Sequence, residues 1–218
     1  MKIGIIGAGH IGGTLTRRFA ELGHDVVVAN SRGPETLQDL ARTTGATAVD
    51  VSQAAQDRDL VVVTIPLKNV PDLPQGLLGG AAPNVAVVDT CNYYVQRDGR
   101  IAEIDGGETS SAWVARQIGH PVVKAFNNIG AQHLAEHGRE AEDPARFALP
   151  VAGDDLTAKS TVVQLIEDLG FDAVDAGPLS ESWRQEPDTA AYGTDLKRED
   201  LERAIREQQP VRPAQFQD

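Results

Sequence analysis

An α/β fold with a doubly wound, mostly parallel sheet is what this sequence predicts, and two observations carry the prediction. Lys2-Ile3-Gly4-Ile5-Ile6 is a short apolar strand that runs into Gly7-Ala8-Gly9-His10-Ile11-Gly12, followed by a helical pattern and a second strand. Further on, continuously apolar runs alternate with helical stretches, as expected for parallel strands covered on both faces.

Each element follows from local pattern. Ile11, Leu15, Phe19 and Leu22 recur at helical spacing, and Gly23 stands where that helix stops. Val26-Val27-Val28-Ala29 is the second strand, Pro34 to Arg42 a short helix, and Ala46-Thr47-Ala48-Val49 a third strand. Leu60 to Ile65 and Val85 to Asp89 are buried strands. Glu108 to Ile118 is helical with Thr109 or Ser110 as cap, and Val122 to Phe126 is a sixth strand. A smaller α/β extension follows. Ala131 to His137 is a short helix and Phe147 to Ala152 a strand, placed at an edge by Pro150. Leu156 to Leu169 is a helix with Val162, Val163, Leu165 and Ile166 to bury. Phe171 to Asp175 is the last strand, Leu196 to Glu207 a last helix, and Pro210 and Pro213 mark a loose tail. The expected division is a Rossmann-type domain over 1–126. A smaller region over 127–218 packs against it and serves substrate binding and dimerisation.

The glycines have separate tasks. Gly7 permits the tight turn, Gly9 admits a pyrophosphate, and Gly12 lets helix and strand sit close, with free N–H groups at the helix start facing the anion. A glycine turn without a ligand is the alternative. NAD-binding chains place an acid roughly 20 residues past the glycines, to accept from the ribose 2′-hydroxyl. Here Asn30, Ser31 and Arg32 stand in its place. A hydroxyl and a guanidinium suit a 2′-phosphate, so the sequence predicts NADP(H). A merely solvated Arg32 is the alternative.

Composition narrows the rest. A net charge of −12 argues against nucleic acid and anionic membranes as partners. The single cysteine, Cys91, excludes an internal disulfide and fits a reducing cytoplasm. The chain opens directly on a strand, so no signal peptide is expected, and no apolar run approaches a membrane span.

Ligands of open parallel sheets lie beyond the carboxyl ends of the strands. Thr64, Ile65 and Pro66 follow the fourth strand, Thr90 and Asn92 the fifth, and Asn127 the sixth. Asn92 and Asn127 are the positioning candidates, able to hydrogen-bond a carboxamide or carbonyl; turn capping is the alternative. No catalytic residue declares itself. Cys91 reads as a packed residue, Tyr93 and Tyr94 as wall residues, and Lys124 as a packed or ion-paired lysine. His133 and His137 read as a surface face, so no metal is expected. Tyr-x-x-x-Lys is absent. The site is therefore expected to work by positioning two redox partners for hydride transfer.

In order, Gly7 to Gly12, Asn30-Ser31-Arg32, Thr64-Ile65-Pro66, Val123-Lys124-Ala125-Phe126-Asn127 and Asp175-Ala176-Gly177-Pro178-Leu179 make the chain resemble the deazaflavin (F420)-dependent NADP oxidoreductase family. The resemblance covers nearly the whole chain. It implies an enzyme exchanging hydride between NADP(H) and a deazaflavin or flavin. Ser31 and Arg32 would then hold the phosphate, with Ala8, His10 and Ile11 over the pyrophosphate. It also implies a homodimer whose C-terminal segments help close the site, and Leu179, Trp183 and Tyr192 are read as exposed there. Two departures stand out. Gly33-Pro34-Glu35-Thr36 occupies the place where members often carry a further lysine, and Asn127-Asn128-Ile129-Gly130 follows the sixth strand. Only Arg184, Lys197 and Arg198 offer local positive charge to an acidic deazaflavin tail. Reduction of a small carbonyl or imine, and a non-catalytic NADP(H) sensor, remain alternatives.

Overall fold

A computed structural model describes residues 1–209. Six parallel strands form the main sheet in the order β3-β2-β1-β4-β5-β6: β1 Lys2–Ile6, β2 Asp25–Ala29, β3 Thr47–Ala48, β4 Leu60–Val63, β5 Ala86–Asp89 and β6 Val123–Lys124. The strand order reverses between β1 and β4, and this switch point opens a crevice at the carboxyl edge. Helices α1 His10–Glu21, α2 Gln38–Thr44, α3 Val95–Asp98, α4 Ala102–Asp105 and α5 Ser110–Ile118 accompany it. The extension holds α6 Ala131–Glu136, β7 Ala148–Val151, α7 Leu156–Asp168, β8 Asp172–Asp175 and α8 Arg198–Glu207. Strands β7 and β8 pair with each other, and an antiparallel bridge from Lys124 to Ala152 ties them to β6.

Burial explains the cohesion. Ile3, Ile5, Leu60 and Val62 of the large sheet share one apolar cluster with Phe126, Leu149, Val162, Ile166 and Phe171. The two parts of the chain therefore pack through a common core. Val61, Val63, Val87, Trp113 and Val114 fill the other face. Arg18 adds polar stitching from α1, donating to the carbonyls of Ala135 and Leu169 at 2.8 and 2.9 Å.

Several boundaries differ from the sequence expectation. Residues Pro34–Leu37 form a 3-10 helix that leads into α2, so the expected helix is two pieces. Strand β4 stops at Val63, and Thr64 to Pro66 leave the sheet. Strand β6 has only two residues, because the chain turns at Phe126, whose φ is 58°. Short 3-10 helices at Leu67–Asp72, Leu77–Gly80 and Leu179–Gln185, with α3 and α4, have no periodic signature long enough to read. Thr109 caps α5 by accepting from the Ala112 N–H at 3.2 Å. Pro150 lies in β7, whose one strand partner among the described residues is β8. Pro210 and Pro213 lie outside the described residues.

Candidate active site

The crevice at the switch point is a cleft of about 640 Å³. Gly7, Ala8, Gly9, Asn30, Ser31, Arg32, Thr64, Ile65 and Pro66 line it, together with Asn69 and Leu73. Gly7 adopts φ 111° directly beneath the Thr64 carbonyl, and a Cβ on Gly12 would collide with the Gly7 carbonyl. These two glycines serve the tight turn and the close packing of α1. Gly9 differs: a Cβ there would meet nothing within 4 Å, so its surface faces open space. The first ladder bond of α1 runs from Gly13 to Gly9 at 2.8 Å. The N–H groups of His10, Ile11 and Gly12 precede it and are free to face an anion. The side chain of His10 is exposed, whereas Ile11 turns toward the core.

The loop after β2 is ordered by its own side chains. Asn30 Oδ1 accepts from the Arg32 N–H at 2.8 Å. Asn30 Nδ2 donates to Thr36 Oγ1 at 2.9 Å, and that hydroxyl donates to the Gly33 carbonyl at 2.8 Å. Ser31 and Arg32 are exposed, and among the described residues no carboxylate pairs with Arg32. A free guanidinium beside a hydroxyl, with no acid at the end of β2, fits the 2′-phosphate of NADP(H) and disfavours NAD(H).

The ends of β5 and β6 are a connected polar structure. Asp89 and Lys124 are fully buried and pair at 3.2 Å. Asp89 also accepts from Ser111 Oγ at 2.6 Å and from the Cys91 N–H at 2.8 Å. Lys124 donates in addition to the Cys91 carbonyl and to Ser110 Oγ. Glu186, from the C-terminal segment, accepts from both the N–H and the hydroxyl of Ser110, at 2.8 and 2.7 Å. Burial, with the Asp89 carboxylate beside it, pushes the Cys91 thiol well up, so it stays a neutral packed group.

Asn92 and Asn127 do not both point at an open cleft. Asn127 Nδ2 donates to Asn92 Oδ1 at 3.0 Å and to the Gln185 carbonyl at 2.7 Å, while Gln185 Nε2 donates to Asn127 Oδ1 at 3.0 Å. Asn92 Nδ2 donates to the Asn127 carbonyl at 2.9 Å and to the Tyr192 hydroxyl at 3.3 Å. Both amides are consumed in holding the strand ends to the C-terminal segment. Thr90 is likewise turned inward, onto the Val63 carbonyl at 3.3 Å. The sequence had no means to show Gln185 and Tyr192 as partners, since they lie 58 and 100 residues away from the asparagines they bond.

Tyr94 and Tyr192 meet hydroxyl to hydroxyl. Arg97 lies over the Tyr94 ring at 4.9 Å and donates to the Asn92 carbonyl at 2.5 Å. Tyr93 is not a site wall; its hydroxyl accepts from the Ile101 N–H at 2.8 Å and donates toward the Gly99 carbonyl at 3.0 Å. The turn that bears Tyr94 adjoins the one after Pro66, through an Lys68 N–H to Asp98 contact of 3.5 Å.

The C-terminal segment is covered by its own chain, which corrects the expectation of exposed aromatics. Leu179 is buried, Trp183 is half-buried under Arg184 at 4.4 Å, and Tyr192 is engaged as above. His133 and His137 stack at 4.5 Å, and Asp195 joins them, bonded to His133 Nδ1 at 2.8 Å. The nitrogen and oxygen atoms these three side chains offer lie within 4.8 Å of one another. Asp195 was invisible to spacing arguments, being far along the chain.

The fold and cleft together define a dinucleotide-binding oxidoreductase of the Rossmann class. The sequence profile described as "NADP oxidoreductase coenzyme F420-dependent" matches residues 2–93. A protein from Sinorhizobium meliloti, SMa0349, is 30% identical and superposes with a TM-score of 0.75, covering 90% of this chain and 95% of its own. The chain belongs to this NADP oxidoreductase family. A protein of Arthrobacter sp. FB24, named for F420-dependent NADP-reductase activity, shares the fold at 24% identity and a TM-score of 0.67, over 84% of this chain and 87% of its own. The protein YjhV of Escherichia coli (strain K12) is 40% identical over 73 residues, 33% of this chain. The chain spans about half the length of that curated relative, 53%. No helix among the described residues is long and apolar enough to cross a membrane.

Proposed function

We propose that this protein uses NADPH to reduce a small carbonyl or imine compound at the ends of β4, β5 and β6. Gly7, Ala8, Gly9 and the N–H groups of His10, Ile11 and Gly12 would hold the pyrophosphate. Asn30, Ser31 and Arg32 would hold the 2′-phosphate, and Thr64, Ile65 and Pro66 the adjoining ribose. Bound NADPH supplies a hydride. The chain's own part is to orient the acceptor, exclude water and deliver a proton.

One observation carries the choice of acceptor. Two of the three positive groups that could meet a polyanionic deazaflavin tail, Arg184 and Arg198, are engaged within the fold, which leaves the exposed Lys197 for it. Arg184 pairs with Glu181 at 2.6 Å and donates to the Gln208 carbonyl at 2.7 Å. Arg198 donates to the Ala173 carbonyl at 2.9 Å, and Lys197 stands at the start of α8, which packs on β7 and β8. The ends of β5 and β6 carry instead amides bonded to one another and the phenols of Tyr94 and Tyr192. The family description supports a second reading, transfer to a deazaflavin or flavin ring. Assembly enters through the family resemblance alone: a homodimer, which light scattering would read as twice 23.3 kDa.

NADPH oxidation by the full chain decides between the acceptors. Turnover of 2-methyl-1-pyrroline, butane-2,3-dione or benzaldehyde, exceeding that of 5-deazariboflavin and FMN, is the expected result. Turnover of the two ring compounds alone would overturn the carbonyl or imine reading.

A further inference from the structure

We propose that the Tyr94 hydroxyl, poised by Tyr192 and Asn92, is the acid that protonates the reduced oxygen or nitrogen of the acceptor. This rests on the carbonyl or imine reading above.

Hydrogen-bond counting is the first support. A tyrosine hydroxyl has one proton to give and lone pairs to accept with. Asn92 Nδ2 donates to the Tyr192 oxygen at 3.3 Å, so that oxygen is already an acceptor. The amide of Asn92 cannot turn to accept instead, because its Oδ1 is held by Asn127 Nδ2 at 3.0 Å. The hydroxyl-to-hydroxyl contact takes up one of the two phenol protons, and either tyrosine can be its donor. With Tyr192 as that donor, the proton of Tyr94 has no other protein acceptor among the described residues. A half-buried donor with its oxygen already satisfied is arranged to donate outward.

Position is the second support. Tyr94 lies two residues past Asn92, on the loop that continues β5. The Asp89–Lys124 pair anchors that loop from below through both the N–H and the carbonyl of Cys91. Its turn adjoins the one after Pro66, which lines the dinucleotide cleft. Arg97 fixes the ring from one face. The third support is the state of the pair. Burial, then the bond and proximity to Tyr94, push the Tyr192 phenol well above its usual range, with Asp188 adding to this and Arg97 opposing it. Desolvation disfavours phenolate, so the supporting member stays protonated at neutral and mildly alkaline pH.

The step balances. Hydride carries an electron pair to the carbon of the C=O or C=N group, and the π pair moves to oxygen or nitrogen. That atom takes the Tyr94 proton as its new O–H or N–H bond forms. Tyr94 then recovers a proton from Tyr192, and Tyr192 from water. The acceptor is reduced by two electrons and NADPH is oxidised.

The test uses Tyr94→Phe and Tyr192→Phe in the full chain, with the three carbonyl and imine probes above. Losing a general acid costs on the order of 10²–10⁴-fold. Tyr94→Phe should lower kcat by about 100-fold or more, while KM stays within about threefold and the NADPH dissociation constant is unchanged. Tyr192→Phe should have a smaller effect, about tenfold. A second readout needs no turnover: phenolate absorbance at 295 nm against pH. The Tyr192 phenol ionises above its usual range in the wild type, and Tyr94→Phe should bring that ionisation down. If a probe is reduced by the wild type and equally fast by Tyr94→Phe, the proton-donor role fails and the reductase reading stands. If the wild type reduces none of the three probes, both fail. A Tyr192 ionisation unmoved by Tyr94→Phe would dissolve the hydroxyl pair and the proposal with it.

Discussion

Arg32 is the residue on which cofactor choice turns. It is exposed, unpaired among the described residues, and held in register by the bond from its N–H to Asn30. One or two charge-assisted bonds to a 2′-phosphate, at roughly 1.5–3 kcal/mol each, correspond to about tenfold or more in affinity. Arg32→Ala should therefore weaken NADPH by at least about tenfold and leave NADH nearly unchanged, as read by calorimetric titration of both coenzymes. Gly9 makes the complementary case. Its Cβ position meets no protein atom within 4 Å, so Gly9→Val should fold normally by circular dichroism. A valine there occupies the space a pyrophosphate needs, and NADPH binding should be lost. A folded variant with wild-type affinity would place the dinucleotide elsewhere. Both residues were legible in the sequence because their neighbours in the chain are also their neighbours in the cleft. Tyr192 and Gln185 were not, since a loop brings them to Asn92 and Asn127 from far along the chain and no periodicity records it.

At the scale of elements, the end of β5 and the end of β6 depend on one another. Removing one member of a buried ion pair leaves an uncompensated charge, at a cost of about 3–5 kcal/mol. Asp89→Asn and Lys124→Met should each lower the unfolding free energy from urea titration by that order. The double variant should recover most of the loss, because the remaining amide and thioether are neutral. A double variant as unstable as the sum of the singles would assign the damage to packing. Helix α7 offers a smaller effect. Asp155 caps it by accepting from Thr157 and Ala158 at 2.9 and 3.0 Å, so Asp155→Ala should cost about 0.5–2 kcal/mol in the same assay. The sequence indicated the long elements well, since α1, α5 and α7 have clear apolar spacing and terminal signals. It overestimated β6. Val122 to Phe126 is apolar enough for five strand residues, yet φ 58° at Phe126 turns the chain toward Asn127. That turn is a tertiary demand, and it is what delivers Asn127 to Asn92.

For the whole molecule, charge sets a background against which the cleft works. The chain carries a net charge of −12, and its expected coenzyme is a polyanion. Global repulsion acts over many ångströms, whereas Arg32 acts locally on one phosphate. The screening length is about 30 Å at 0.01 M salt and about 10 Å at 0.1 M. Salt should therefore weaken the local attraction and the global repulsion together, and the wild-type affinity for NADPH should change little between 0.01 and 0.3 M. Arg32→Ala removes the attraction and keeps the repulsion, so its residual NADPH affinity should rise with salt. The discriminating quantity is the ratio of the two affinities, in which the shared background cancels. It should be largest at 0.01 M and shrink steadily toward 0.3 M. A ratio independent of salt would mean that Arg32 acts by shaping its loop rather than by its charge. That outcome would shift the choice of NADP(H) from the guanidinium to the Asn30–Thr36 bond that orders the same turn.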